Sequence, residues 1–161
     1  MPTEIGLKDK SREAVGLMLN RLLSDEYVLA AKTRGFHWNV TGPHFRDYHL
    51  LFGEQIGTLD EAVDDLAERV RQLGGRSLGS LREFVEHSRL TEKPGSAPPA
   101  ADMVGLLLHD HEALIRQLRK DVDLCADEHG DAGTADFLTG LMESHEKMAW
   151  MLRATLEGST S

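Results

Sequence analysis

Between residues 45 and 73 apolar side chains recur in alternating steps of three and four: Phe45, Tyr48, Phe52, Ile56, Leu59, Val63, Leu66, Val70 and Leu73. That spacing holds one apolar stripe along a helix of about thirty residues. Gly42-Pro43 breaks the chain before it, Pro43 suiting a first helical position, and Gly74-Gly75 supplies a stop, so the pattern predicts a helix over about 43–74. A helix over about 11–34 reads through Val15, Met18, Leu19, Leu22, Leu29 and Ala30, and its end delivers His37 and Trp38. Two more are predicted over about 101–129, through Val104, Leu107, Leu108, Leu114, Leu118, Val122 and Cys125, and over about 133–157, through Phe137, Leu141, Met148, Leu152 and Leu156. Residues 75–99 are punctuated by Gly, Ser and Pro around SLREFVEHS, which reads as a short helix inside a long crossover. No alternating β pattern competes, and the expected fold class is all-α, a bundle of four long helices with two short turns and one long crossover.

Composition narrows the picture in a few places. The 161 residues, 40% hydrophobic and 28% charged, suit one domain over 1–161 with short tails at 1–10 and 158–161. No apolar run approaches the roughly 18 residues of a membrane span, and no charged-then-apolar leader is present, so no membrane partner is expected and a cytoplasmic location is the simplest reading. The single Cys125 excludes an internal disulfide and fits no zinc-ligand spacing. A net charge of −9 favours cations as partners. The first thirteen residues mix Lys8, Lys10 and Arg12 with Glu4, Asp9 and Glu13, and 158–161 carry no base, so neither tail is a polybasic arm and DNA binding is not expected. Motifs for nucleotide cradling, zinc proteolysis and serine hydrolysis are missing, and so is any Glu-x-x-His pair of the kind that builds a di-iron site inside one bundle.

The chemistry concentrates on a second seam of the helix over 43–74, which carries His49, Gly53, Gly57, Asp60, Asp64 and Glu68, with His37 just before the break. Asp64 and Glu68 are four apart and share a face, so they can hold one cation between them. His49 lies roughly 22 Å from Asp64 along the same helix, too far to share a metal within one chain. An antiparallel pairing of this helix with its own copy across a two-fold axis closes the gap, and the crossing then falls near Gly57, where a bare Cα permits close approach. Other histidines carry less. His44 reads as part of the helix start, while His87 and His129 lie near helix ends. His109 and His111 point to opposite sides and cannot chelate together. His111 and His145 fall on apolar stripes and read as hydrogen-bonded core histidines. Trp150 and the methionines of the last helix read most simply as core, and Trp38 as packing of the helix junction unless it serves a redox step.

The segments HWNVTG, the His49 position and DDLAERVRQLGG resemble the Dps proteins, or mini-ferritins, and weaker similarity runs to the closing HEKMAWMLRATLE. The resemblance implies a ferritin-like four-helix bundle, assembled as a dodecameric homo-oligomer, that oxidises Fe(II), preferably with hydrogen peroxide, and stores the ferric product. It implies a site made of His37 and His49 from one subunit with Asp64 and Glu68 from the other. Trp38 could then accept an oxidising equivalent. It also implies an acidic pore near the turn between the last two long helices, for which Asp131 and Asp136 are the candidates. One departure stands out: the family's carboxylate four residues after the second His is here Gly53, and Glu54 points about 100° away. By ligand counting the site is one anion short, unless Asp60 or a rotated Glu54 fills the place, and zinc then becomes a possible occupant beside iron. A shell protein with a weakened site and a nucleoid DNA binder are the alternative functions.

Overall fold

The computed structural model describes residues 3–157, so the expected 158–161 tail lies outside the described residues. Four long helices and one short one account for most of the chain: α1 (Asp9–Asn39), α2 (Phe45–Gln72), α3 (Leu81–His87), α4 (Ala100–Asp123) and α5 (Ala132–Glu157). No strand occurs among the described residues. The α1/α2 and α4/α5 hairpins pack together, and the long crossover carrying α3 joins them, with α3 lying against α1. This is the ferritin-like arrangement of two hairpins and one crossover. None of the helices among the described residues is long and apolar enough to cross a membrane.

Each boundary has a local cause. α1 runs five residues beyond the expected end because Gly35 does not break the ladder: Val40 N–H still donates to the Phe36 carbonyl at 2.9 Å, the Asn39 amide donates to the Gly35 carbonyl at 2.8 Å, and the chain turns extended only at Val40. His37 therefore sits in the last turn of the helix. Pro43 lies outside α2; Gly42, at φ 119°, turns the chain, and Phe45 N–H closes the turn onto the Gly42 carbonyl. At the other end, Gly74 at φ 84° sends its N–H to the Arg71 carbonyl while Gly75 N–H reaches the Val70 carbonyl, the paired bonds that end a helix on a left-handed residue. α3 opens with a capping box between Ser80 and Glu83. The helix expected to run to 129 changes pitch after Asp123, continuing as one wider π turn over Leu124–Glu128.

The buried line of α2 is Phe52, Gln55, Leu59, Ala62, Leu66, Val70 and Leu73. Phe45 is exposed, and Ile56 and Val63 are half-buried, so the core meets the helix one residue to the side of the expected stripe at those places. α1 and α5 flank α2, and 3.6 residues per turn lets Gln55 and Ala62 face inward just as well. Two apolar clusters fill the bundle. One is built around Leu19, Leu22, Leu66, Leu118 and Leu138, the other around Leu29, Phe52, Leu59, Leu107 and Leu152. Between them in chain order on α1 and α5 stand Glu26 and His145, which with His111 form a polar layer with no exposed surface. Buried Asp25 accepts hydrogen bonds from Ser88 Oγ, Arg89 N–H and the Arg89 guanidinium, pinning the crossover to α1. Lys32 and Asp110 pair between α1 and α4.

Candidate metal centre

The turn between α1 and α2 folds two imidazoles onto each other. His37 Nδ1 lies 2.7 Å from the His49 carbonyl oxygen, and His49 Nδ1 lies 2.8 Å from the His37 carbonyl oxygen. A carbonyl can only accept, so both Nδ1 atoms carry the proton and both Nε2 atoms keep their lone pairs in the neutral rings. The rings stack with centroids 3.7 Å apart and planes 18° apart, and Phe45 covers His49 at 5.2 Å. Backbone carbonyls thus orient two nitrogen donors as they do in metal sites generally. Both rings are half-buried and open on one side to solvent.

Asp64 and Glu68 project from the exposed face of α2, and neither is ion-paired to another of the described residues. Their neighbour on the seam is different: Arg34 Nη2 reaches both Asp60 oxygens, at 3.0 and 2.7 Å. An acid held by a guanidinium in this way is poorly placed to replace a missing ligand. Glu54 is exposed and belongs to another side of the helix. The chain therefore brings His37 to His49, and Asp64 to the turn before Glu68, without bringing the two pairs together. Among the described residues no three His, Cys, Asp or Glu side chains converge on a point that could hold a metal. One chain thus presents a half-buried histidine pair at the α1/α2 turn and, further along α2, an exposed pair of acids.

Gly53 lies beneath the histidine pair. A Cβ at this position would stand 3.2 Å from His37 Cε1 and 3.4 Å from His37 Nδ1, whereas one at Gly57 would meet nothing within 4 Å.

The two acids expected at a pore part company. Asp136 is exposed at the start of α5. Asp131 is 3% exposed and caps that helix: its carboxylate accepts from Thr134 N–H at 2.9 Å, Thr134 Oγ1 at 2.6 Å and Arg69 Nη2 at 3.2 Å. The acids that face solvent at this corner are Asp127, Glu128 and Asp136.

His111 and His145 are buried as expected, but they belong to a chain that sequence reading missed. His145 Nε2 donates to Glu26 Oε1 at 2.6 Å, and the Nδ1 atoms of His145 and His111 are 2.8 Å apart, so one proton lies between them. His111 Nε2 and Glu26 Oε2 have no partner. Burial, reinforced by His145, holds the His111 imidazole well below its ordinary pKa, so it stays neutral. The available signal was Glu26 itself, an acid on the apolar stripe of α1 with Leu22 one turn before it and Leu29 and Ala30 one turn after. Cys125 is buried in the π turn, and burial together with Asp131 and Asp121 pushes its thiol up to about 12, so it offers no thiolate.

Comparison with known proteins agrees with this architecture. Residues 17–159 match the family model described as a ferritin-like domain. An uncharacterized low temperature-induced protein of a Nostoc strain is 51% identical over 154 residues, covering 96% of this chain and 86% of that protein. A DNA protection during starvation protein of Brevibacillus brevis is 36% identical, covering 94% of this chain and 100% of that one. The crystal structure of the Dps protein of Vibrio cholerae, described as a member of a broad superfamily of ferritin-like diiron-carboxylate proteins, superposes with a TM-score of 0.90 at 30% identity, covering 97% of this chain and 98% of that one.

Proposed function

The chain belongs to the Dps family of ferritin-like proteins, and from that we propose that it oxidises Fe(II) with hydrogen peroxide and stores the ferric product inside a dodecameric shell. The observation that carries this reading is the pair of half-sites, His37 at the end of α1 with His49 on α2, and Asp64 with Glu68 further along α2. The midpoint between His49 and Asp64 falls next to Gly57, which is exposed and has open space where a side chain would be. An antiparallel two-fold crossing there sets His37 and His49 of one copy opposite the acids of the other, giving two equivalent sites per dimer.

In such a site two neutral imidazoles offer Nε2 and two carboxylates offer oxygen, a mixed donor set suited to a borderline divalent cation such as Fe(II). The two negative charges balance the charge of one ferrous ion. The histidine pair is preorganised by its reciprocal hydrogen bonds, so little ordering is left for the moment of binding. Two ferrous ions each release one electron to one peroxide. The oxygen–oxygen bond breaks, and with two protons both oxygens leave as water, so no hydroxyl radical is released. The Asp127, Glu128 and Asp136 corner draws cations toward a pore. Zinc, which accepts four nitrogen and oxygen ligands, competes for the same donors.

The test uses mixed dimers. His37→Ala/His49→Ala subunits and Asp64→Asn/Glu68→Gln subunits should each fail to oxidise Fe(II) with peroxide when assembled alone. Co-assembled, they regain one complete site in every mixed dimer, so activity should return to about half per mixed dimer by symmetry. Absence of any recovery in verified mixed assemblies would sink the shared site. Faster oxidation by dioxygen than by peroxide in the unmutated protein would overturn the choice of oxidant.

A further inference from the structure

By ligand counting Gly53 is a loss, the one place on the seam where a Dps carboxylate is missing. The local geometry gives it another part. We infer that Gly53 is a positioning residue: its bare Cα leaves the space in which His37 stacks on His49, and that stack aims the two Nε2 lone pairs at the shared site. The inference rests on the ligand reading above for His37 and His49.

A side chain of any kind at position 53 brings a Cβ to 3.2 Å from His37 Cε1 and 3.4 Å from His37 Nδ1. The first distance is shorter than a relaxed carbon–carbon contact, so the ring must move by a few tenths of an ångström. It has little freedom to do so. Its Nδ1 is tied to the His49 carbonyl at 2.7 Å, its face lies against the His49 ring at 3.7 Å, and His49 is tied back to the His37 carbonyl at 2.8 Å. Moving one imidazole therefore loosens both bonds and both donors. The crowding is local to this turn of the helix, since Gly57, one turn later on the same seam, has open space. An aspartate at 53 adds a second disturbance, because its carboxylate could take the His37 Nδ1 proton from the His49 carbonyl.

Two neutral imidazoles and two carboxylates match one divalent ion in charge, and a further carboxylate would leave a single-ion site with excess negative charge. The gain from an extra anion is thus set against displaced nitrogen donors. The arrangement suits one borderline cation held by nitrogen as much as by oxygen, the class of Fe(II), Co(II) and Zn(II).

The experiment places Gly53→Ala and Gly53→Asp in the assembled protein and reads two quantities that need no turnover. Co(II) affinity comes from titration followed by its visible absorption, and the metal-free position of the His37 ring from a crystal structure of each variant. Gly53→Ala removes a glycine from a helix interior, so assembly and melting temperature should hold or improve. Its Co(II) affinity should nonetheless fall by about tenfold, the lower end of what disturbed ligand support costs. The His37 ring should be shifted off the His49 carbonyl. Gly53→Asp should bind Co(II) no more tightly than the unmutated protein. Tighter Co(II) binding by Gly53→Asp, or a Gly53→Ala protein with its ring in place and its affinity unchanged, would overturn the inference. His37→Ala separates the two levels: if it leaves Co(II) affinity intact, the ligand reading itself fails and takes this inference with it.

Discussion

An aspartate accepting three hydrogen bonds has little left to offer a passing cation, and Asp131 is in that position. Asp131→Ala should cost about 1–2 kcal/mol of stability through the lost helix cap, visible in urea unfolding, while the initial rate of iron uptake by folded shells stays unchanged. Asp136→Asn should slow that initial rate without lowering stability. The reverse pattern would move the pore assignment back to Asp131. Burial at His111 leads to a separate expectation. Its pKa is lowered in the folded protein, so the unfolded chain binds the proton first as pH falls. The contribution to stability is fully present above the ordinary histidine value near 6.5 and is lost as pH drops below it, by at most about 1.4 kcal/mol per pH unit. Urea midpoints at pH 7.5 and 5.5 check this, and His111→Gln, which keeps a donor for His145, should flatten the difference. An equal difference in the variant would assign it to other groups.

Among the elements, α2 carries the most consequence, because it supplies His49, Asp64 and Glu68 and also the surface on which a second copy lies in the proposed dimer. Gly57 is exposed and a side chain there meets nothing within the chain. Gly57→Leu should therefore leave the fold of one chain intact, with an unchanged helical circular dichroism signal, yet weaken or shift the dimer in sedimentation and reduce metal binding. Normal assembly and binding in Gly57→Leu would count against the antiparallel crossing. The helices themselves were legible from apolar spacing, because a bundle buries one stripe per helix and each stripe repeats every 3.6 residues. Their ends were less so. The extension of α1 to Asn39 and the π turn after Asp123 are decided by which carbonyl each amide reaches, and spacing does not record that.

For the whole molecule, charge is the governing quantity. With a net charge of −9 and basic residues mixed among acids in the first thirteen positions, the surface repels phosphate backbones more than it attracts them. Gel-shift titration with duplex DNA at roughly 150 mM salt without divalent cations should show no retardation. Retardation under those conditions would restore the nucleoid-binding alternative. The same acidity suits the proposed handling of Fe(II), since a negative surface draws cations toward it.

The sequence by itself determined the class of fold, the four long helices with the short one in the crossover, and which histidine and acids share the second seam of α2, because periodicity and residue chemistry are local properties of a chain. It also exposed the separation of His49 from Asp64, which follows from helix rise alone. Tertiary structure decided what depends on neighbours. It engaged Asp60 with Arg34 and turned Asp131 inward as a cap. It joined Glu26, His145 and His111 from three helices into one buried chain, and set Gly53 beneath the His37 ring. A missing carboxylate could be counted from the sequence, but the space its absence leaves exists only once α1 and α2 are folded against each other.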